Sequence, residues 1–288
     1  MLTPSPPRRL DFKDHRRSLG ENRYVYPVVS RRSGGLSIGI NLNPDKVCNF
    51  DCPYCQVDRS IAPAFRSVDE AILLAELEAL LSWAADGTLW QRAPFDTVRP
   101  DLRRLCDLAF SGDGEPTSYA GLAGLIDRVA DVRDEYGFSD VPLVAITNAS
   151  LFHRKSVGTA LERLHARGGR VWAKLDAGTD PYFKWVCGTS LSLDRICTNI
   201  AEVARIWPVH IQSMFLQKDG EAASEEELDA WGERLQAMVG EGAQIERVQV
   251  YTVARKPADP SLGPLSVDQL EGIADRARAC GLVAEIYP

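Results

Sequence analysis

From residue 36 onward, short runs of β-branched and apolar residues alternate with longer amphipathic stretches. This alternation is typical of βα units built around a parallel sheet. The runs predicted to be strands are 36–43, 107–112, 142–148, 170–176, 209–217, 247–253 and, as a further short strand, 282–287. Six βα units are fewer than the eight of a closed (β/α)8 barrel. The sequence therefore predicts an α/β fold, either an open barrel of six units or an open doubly wound sheet.

The starts of three helices are predicted from their first turns. Ser67 stands three residues before a glutamate and Ser266 three residues before a glutamine, which is the capping-box pattern that begins a helix. Ser224 precedes three glutamates, and the helix dipole favours acidic residues in the first turn. These serines are therefore expected to begin helices that follow predicted strands or the loops after them.

Charge divides the chain into two parts. The 288 residues include 33 lysines and arginines against 40 aspartates and glutamates, a formal net charge of −7. The first 32 residues, however, contain eight basic and only three acidic residues. A basic arm can contact phosphate groups, and a solvated terminus is the alternative. We predict an N-terminal basic arm over residues 1–33 and a single domain over 34–288, in which residues 87–104 form an inserted loop.

Neither a membrane span nor an export signal is predicted. No stretch approaches the roughly 18 apolar residues that a membrane-crossing helix needs, and the N-terminus lacks the apolar core of a secretory signal. The seven cysteines are an odd number, and in a reducing compartment they are not expected to form disulfides. The expectation is a cytoplasmic protein without membrane contact, whose cysteines bind a metal, act as nucleophiles or pack in the core.

Three of the cysteines, Cys48, Cys52 and Cys55, lie within eight residues in a turn-rich loop directly after the first predicted strand. Several thiolates converging from one short loop can bind an iron–sulfur cluster. Three ligands for a four-iron cluster would leave one iron open, much as a catalytic zinc keeps an open position. The alternatives are a structural zinc, for which no histidine lies close in sequence, unliganded buried cysteines, and an electron-transfer cluster, which usually has a fourth cysteine.

The spacing Cys48-x3-Cys52-x2-Cys55, with Tyr54 before the last cysteine, resembles the cluster-binding motif of the radical S-adenosylmethionine (SAM) superfamily. The resemblance implies a partial (β/α)6 TIM-type barrel and an enzyme with one [4Fe–4S] cluster bound by Cys48, Cys52 and Cys55. SAM would bind at the open iron. In that family an electron, supplied here by a flavodoxin-type or ferredoxin-type donor, cleaves SAM to methionine and a 5′-deoxyadenosyl radical, which abstracts hydrogen from the substrate.

The resemblance also implies where SAM binds, since groups at the strand ends of such a barrel hold the ligand. Residues 111–117 are similar to the family's Gly-Gly-Glu segment, in which glycines allow close approach of the backbone. Residues 146–150 resemble the Thr-Asn end of the third strand in relatives. The fourth strand ends with Lys174 and Asp176, two residues apart, which suit the SAM carboxylate and the ribose hydroxyls.

Two later strands complete the predicted cofactor site. Ser213 or Gln212 is expected to offer a polar group to the SAM carboxylate, and residues 250–253 an apolar surface to adenine. The full set of predicted cofactor-binding residues is Tyr54, Gly112, Gly114, Glu115, Asn148, Lys174, Asp176 and Ser213.

Within the superfamily, residues 35–44, 49–57 and 111–119 resemble the iron–sulfur oxidoreductases related to tRNA wyosine-base synthases. Those synthases bring a second cluster from cysteines upstream of the motif, and no cysteine precedes Cys48 here. The remaining cysteines are predicted to be buried, so that one cluster is expected. They are Cys106, Cys187, Cys197 and Cys280.

The sequence leaves the substrate open. The first interpretation is a radical SAM enzyme that acts on an unidentified substrate. The alternatives are an activase that places a glycyl radical on a partner protein, a tRNA-base modifying enzyme, and, outside enzymes, an iron–sulfur electron-transfer or binding protein. Because the body of the chain is acidic and tRNA enzymes usually present a broad basic face, nucleic acid is not the favoured partner.

Overall fold

The computed structural model describes residues 9–13, 17–255 and 257–288. Residues 1–8 and 14–16 of the predicted basic arm lie outside these described residues. The strands are β1 (Val25–Ser30), β2 (Gly35–Ile40), β3 (Leu105–Phe110), β4 (Leu143–Thr147), β5 (Arg170–Lys174), β6 (Val209–Met214), β7 (Gln217–Lys218), β8 (Ile245–Tyr251), β9 (Leu262–Gly263) and β10 (Ala284–Tyr287). The α-helices are α1 (Glu70–Ala85), α2 (Leu122–Glu135), α3 (Lys155–Ala166), α4 (Asp180–Cys187), α5 (Leu193–Ile206), α6 (Glu225–Gly240) and α7 (Val267–Ala279).

Eight strands form one curled sheet in the order β1-β2-β3-β4-β5-β6-β8-β10. From β2 to β10 all neighbours pair in parallel, whereas β1 pairs with β2 in the antiparallel sense. The strand order follows the chain order without reversal, so the helical crossovers all pass over one face of the sheet. This is a partial barrel, as the superfamily resemblance implies, and not a doubly wound sheet, in which the order reverses at a switch point.

The two faces of the sheet have different neighbours. Leu108 and Phe110 of β3 lie in the main core between the sheet and the helices, together with the buried leucines of α1. Ala109 lies between them on the opposite, inner face, where it packs with Val144 and Trp172 in a separate small cluster. The side chains of alternate residues therefore face the interior of the partial barrel, where a ligand could bind.

The turn between β1 and β2 connects the two edges of the sheet. The Arg31 guanidinium donates hydrogen bonds to the backbone carbonyls of Thr252 and Tyr287, both at 3.2 Å. Thr252 directly follows β8, and Tyr287 ends β10, the strand at the opposite edge from β1. The hairpin β1–β2 therefore reaches across the open side of the partial barrel.

The strands agree with the sequence prediction except in two places. All seven predicted strands are present, but β1 lies inside the segment predicted to be the basic arm. The sheet thus begins before residue 33, although the division into an arm and a single domain otherwise remains a prediction. The short pair β7 and β9 was not predicted because two-residue strands carry no periodicity.

The predicted helix starts are correct for two of the three serines. Ser224 and Ser266 are the N-caps of α6 and α7, and Ser266 forms a complete capping box. The expectation for Ser67 is wrong: α1 begins at Glu70 and its N-cap is Asp69, whose carboxylate accepts from the backbone N–H groups of Ala71 and Ile72. Aspartate caps a helix as well as serine does, so either residue fits the pattern.

The inserted loop over residues 87–104 contains three short 3-10 turns, Leu89–Gln91, Phe95–Thr97 and Pro100–Leu102.

Among the residues that the structure describes, no helix is both long enough and apolar enough to cross a membrane.

Candidate functional site

The three motif cysteines lie in a segment without regular structure that follows β2, here called the cysteine loop (residues 41–60). Cys48, Cys52 and Cys55 are each half-buried and line the same cavity, whose volume is about 270 Å³. The loop folds back on itself through Lys46, whose ammonium donates to the backbone carbonyls of Asp58 at 2.7 Å and Ile61 at 2.9 Å. The structure thus brings the three predicted ligands to the same cavity.

Local charges affect the protonation of these thiols. A hydrogen bond from the Cys187 side chain and the positive charge of Lys174 lower the pKa of Cys52 to about 6, even though burial acts to raise it. Burial raises the pKa of Cys48. The Arg59 guanidinium donates to the sulfur of Cys55 at 3.5 Å. Since the thiolate is the form that binds metal, the positive groups next to Cys52 and Cys55 favour ligation.

Within the described ranges, no group of three His, Cys, Asp or Glu side chains is arranged to hold a single metal ion. An iron–sulfur cluster differs from a single ion because each thiolate bonds to a separate iron atom, so the sulfurs stand farther apart. Three thiols that line one cavity together with cationic side chains and two glycines are a donor set that fits such a cluster.

The predicted glycines, Gly112 and Gly114, line the same cavity as the cysteines. A β-carbon on Gly114 would lie 2.7 Å from that of Asn43 and would overlap the backbone carbonyl of Val47. A β-carbon on Gly112 would overlap the side chain of Asn41. The glycines therefore allow the segment after β3 to pack directly against the backbone of the cysteine loop.

Glu115 is buried and joins the ends of β3 and β4. Its carboxylate accepts from the hydroxyl of Thr147 at 2.6 Å and from the backbone N–H of Asn148 at 2.8 Å. Burial raises the pKa of Glu115 despite these hydrogen bonds. Asn148 in turn donates from its side-chain amide to the side-chain oxygen Oδ1 of Asn49 at 2.8 Å, which connects the end of β4 to the cysteine loop. Both Glu115 and Asn148 line the cavity.

Lys174, Tyr54 and Asp176 form one buried network. The Lys174 ammonium donates to the Tyr54 hydroxyl, which donates to the Asp176 carboxylate, and the ammonium lies 3.1 Å from the same carboxylate oxygen. Burial acts to lower the pKa of Lys174, but the charge of Asp176, together with smaller contributions from Cys52, Tyr251 and Cys187, holds that pKa well above its usual value. The network keeps a positive charge beside Cys52.

The structure separates Asp176 from the cavity. β5 ends at Lys174, so Asp176 lies beyond the strand and does not share its face. Its second carboxylate oxygen accepts from the backbone N–H of Met214 at 2.8 Å. Asp176 is 1% exposed and does not line the cavity, whereas Lys174 does. Of the two residues, Lys174 is the one that a ligand in this cavity could touch.

Ser213 is likewise not brought to the cavity. It is fully buried, and its hydroxyl donates to the backbone carbonyl of Leu175 at 2.6 Å. Its neighbours Gln212 and Met214 line the cavity instead. In the sheet, Lys174 pairs with Gln212, so the alternation of faces places Gln212, the alternative prediction, next to the other cofactor-binding candidates. Similarly, Tyr251 rather than Val250 or Val253 lines the cavity from β8.

Several cavity residues were not predicted from the sequence. Trp172 precedes Lys174 by two residues on the same face of β5, so the alternation of the strand could have identified it. Others come from the N-terminal segment and from the hairpin β1–β2, for which no motif gave a signal. Among them are Arg17, Tyr26 and Arg32.

The four other cysteines do not share one environment. Cys187 is buried, as predicted, but Cys106, Cys197 and Cys280 are only half-buried. Cys187 ends α4 next to the motif: its backbone carbonyl accepts from the Asp51 N–H at 3.0 Å and lies 3.7 Å from the sulfur of Cys52. Cys187, which was predicted only to pack in the core, therefore lies next to the cysteine loop.

Several curated proteins share detectable sequence similarity with the chain. A protein described as GTPase Obg from Brachyspira hyodysenteriae is 27% identical over 261 residues, which cover 88% of this chain and 33% of that protein. A UPF0026 protein from Methanocaldococcus jannaschii is 32% identical over 143 residues, covering 46% of this chain and 34% of that protein. The chain spans about a third of the length of these relatives. No family model matches the chain.

Solved structures show a similar fold at low sequence identity. A radical SAM methyltransferase from Sphaerobacter thermophilus superposes with a TM-score of 0.59 at 14% identity, covering 91% of this chain and 68% of that one. SuiB from Streptococcus suis bound to S-adenosylmethionine gives 0.55 at 15% identity, covering 90% and 49%. TYW1 with a lysine-pyruvate adduct gives 0.50 at 15% identity, covering 86% and 74%. The chain therefore has the same partial-barrel fold as these structures, which confirms the fold that the superfamily resemblance implied.

Proposed function

We propose that the chain is a radical SAM enzyme whose substrate binds inside the partial barrel. The observation that carries this proposal is that three thiols and six of the eight predicted cofactor-binding residues line one cavity. The six are Tyr54, Gly112, Gly114, Glu115, Asn148 and Lys174. These residues come from the cysteine loop and from the ends of β3, β4 and β5, where ligands of such barrels bind.

The donor set supports a cluster with three protein ligands. Cys48, Cys52 and Cys55 would each bond to one iron of a [4Fe–4S] cluster, which leaves one iron for SAM. When reduced, such a cluster supplies the electron that cleaves SAM to methionine and a 5′-deoxyadenosyl radical, and that radical abstracts hydrogen from a substrate. The reducing electron would come from a separate protein donor of flavodoxin or ferredoxin type.

The side chains of this chain would bind and orient the cofactor. Lys174 is held charged by Asp176 and Tyr54, so its ammonium suits the carboxylate of SAM. The backbone of residues 112–114 lines the cavity without side chains at either glycine, which suits close approach by the ammonium group of SAM. Tyr251 and Met214 offer polarisable apolar surfaces in the same cavity.

Cluster binding is tested by anaerobic reconstitution with iron and sulfide. We expect about four irons and four sulfides per chain, and an electron paramagnetic resonance signal of the reduced cluster that changes when SAM is added. Cys52→Ala should lose the cluster, whereas Cys280→Ala, which alters a half-buried cysteine outside the cavity, should retain it. Iron binding by Cys52→Ala equal to that of the wild type would contradict the proposal, as would about eight irons per chain.

A further inference from the structure

One cation in the cavity, Arg32, has no anionic partner among the described residues. It lies in the turn between β1 and β2, with its guanidinium 4.8 Å from the centre of the Tyr251 ring and 5.7 Å from that of Trp172. Within the part of the chain that the structure describes, no ion pair or hydrogen bond to its guanidinium is found, whereas Arg17 pairs with Asp113 at 2.7 Å and Lys174 with Asp176. Arg32 therefore differs from these two cations, each of which a carboxylate neutralises.

Asp107, whose charge interacts with that of Arg32, already has two hydrogen-bond donors. Asp107 on β3 is buried, and its two carboxylate oxygens accept from the hydroxyls of Ser33 and Ser37. The charge of Arg32 acts on Asp107 at a distance, without a salt bridge. Each oxygen of Asp107 could accept a further hydrogen bond, but none from Arg32 is found among the described residues, so Asp107 is not its hydrogen-bonded partner.

The indole ring next to the Arg32 guanidinium carries an unpaired hydrogen-bond donor. Trp172 is 7% exposed and lines the cavity, and its buried indole Nε1–H has no acceptor among the described residues. A buried donor without a partner is destabilising, and buried polar groups are usually hydrogen-bonded. Two cavity-lining residues, Arg32 and Trp172, therefore each have a side-chain donor without an acceptor among the described residues.

The two residues that carry these donors line the same cavity as the predicted cofactor-binding residues. Trp172 and Lys174 share the inner face of β5, and Lys174 contacts Tyr54 of the cysteine loop. Tyr251, under the Arg32 guanidinium, is on the inner face of β8. A guanidinium that stacks on aromatic faces leaves its N–H edge free, and that edge matches the geometry of a carboxylate or phosphate.

We propose that Arg32 and Trp172 form a subsite for an oxyanion of the substrate, a carboxylate or a phosphate. One anionic oxygen group accepts from the guanidinium and from the indole Nε1–H, so that both unpaired donors are satisfied together. The designation of this anion as part of the substrate rests on the proposed radical SAM function, whereas its binding by these two residues does not. A solely structural role for Arg32 as a cation–π contact would explain the stacking but not the unpaired indole donor.

The test uses the full-length chain with its reconstituted, oxidised cluster and ¹⁵N-labelled indoles. The chain has six tryptophans, and the Nε1–H resonance of Trp172 is identified as the one missing in Trp172→Phe. Sodium succinate and inorganic phosphate are titrated separately at constant ionic strength maintained with chloride. We expect a saturable shift of the Trp172 resonance with one of the two anions, which also distinguishes a carboxylate from a phosphate.

Variants separate the subsite from general charge effects. Arg32→Gln should weaken the binding of that anion by about tenfold or more, since a charged hydrogen bond is lost, while Arg32→Lys, which keeps the charge but not the planar fork, should weaken it less. Arg66→Gln, an exposed arginine, should bind as the wild type does. The proposal is overturned if neither anion shifts the resonance saturably, or if Arg32→Gln and Arg32→Lys bind like the wild type.

Failure of the subsite can be distinguished from failure of the radical SAM proposal. On the same samples, 5′-deoxyadenosine is measured after addition of SAM and dithionite. Product formation without anion binding at Trp172 overturns the subsite alone. Anion binding without product formation supports the subsite, but it shows that the bound anion is not part of a radical SAM substrate.

Discussion

Gly188, directly after α4, packs its α-carbon against the backbone carbonyl of Asp51 in the cysteine loop. A β-carbon on Gly188 would overlap that oxygen, and Gly188 has a φ of +56° that disfavours side chains. One residue earlier, the Cys187 carbonyl accepts from the Asp51 N–H at 3.0 Å. The end of α4 therefore holds the backbone between Cys48 and Cys52 in place.

Gly188→Ala should displace this part of the cysteine loop and reduce cluster binding. Because the overlap involves backbone atoms, no side-chain rotation relieves it, and we expect the iron content after reconstitution to fall by about half or more. Gly168→Ala is the matched control, since Gly168 has a similar φ of +71° but a β-carbon added there would meet no atom within 4 Å; both changes carry a conformational cost of about 1 to 2 kcal/mol. Equal iron content in the two variants would show that α4 does not position the loop.

Gly114→Ala tests the packing of the segment after β3 against the same loop. Its β-carbon would overlap the Val47 carbonyl, so we expect the affinity for SAM, measured by calorimetry on reconstituted protein, to fall by about tenfold. Gly124→Ala, in α2, has open space around the new methyl group and should stabilise the helix by about 1 kcal/mol without changing SAM affinity. Wild-type affinity in Gly114→Ala would exclude a cofactor role for this segment.

We predict that the mostly buried Lys174 and its partner Asp176 affect the stability of the protein as a pair. Asp176→Asn preserves the shape of the side chain but removes the charge that balances Lys174, so the free energy of unfolding should fall by about 3 to 5 kcal/mol. Adding Lys174→Met should recover most of that loss, since no unpaired ammonium remains. Denaturant unfolding of the two single variants and the double variant measures this coupling. Additive losses would mean that the two residues do not interact.

The site was predictable where its residues are close in sequence. The three cysteines fall within eight residues, and the glycines follow a strand, so local spacing was sufficient to predict that they would line one cavity. The sequence did not show which residues of β6 face the interior of the barrel. Neighbouring residues of a strand face opposite sides of the sheet, so an error of one residue selects the wrong side chain. In β6, Gln212 and not Ser213 lines the cavity.

Residues contributed by distant elements gave no local signal. Arg32 reaches Tyr251 only because the hairpin β1–β2 crosses the open side of the barrel, and that hairpin lies in a segment whose charge indicated an arm. Cys187 meets Cys52 only through the packing of α4. Such contacts depend on tertiary structure and not on the order of residues along the chain.

His210 predicts a pH dependence of stability. The imidazole stacks on Trp172, with ring centres 6.0 Å apart, and burial lowers the pKa of His210 although Glu246 partly opposes this. An unfolded histidine has a pKa of about 6.5. Below that pH the unfolded chain binds a proton that the folded chain does not, so stability is full above about pH 6.5 and falls as the pH drops towards the lowered pKa.

His210→Phe keeps an aromatic ring against Trp172 but cannot titrate. The free energy of unfolding, measured by denaturant between about pH 7.5 and pH 5.5, should therefore decrease less with falling pH in His210→Phe than in the wild type. Parallel curves for the two proteins would show that His210 does not contribute to the pH dependence.

The most direct test of the central claim is the formation of 5′-deoxyadenosine. Reconstituted protein, SAM and dithionite are incubated without oxygen, and the product is quantified by liquid chromatography and mass spectrometry. We predict 5′-deoxyadenosine and methionine from the wild type and from Cys280→Ala, and none above background from Cys48→Ala, Cys52→Ala or Cys55→Ala. Absence of 5′-deoxyadenosine from wild-type protein that carries a complete cluster would contradict the account.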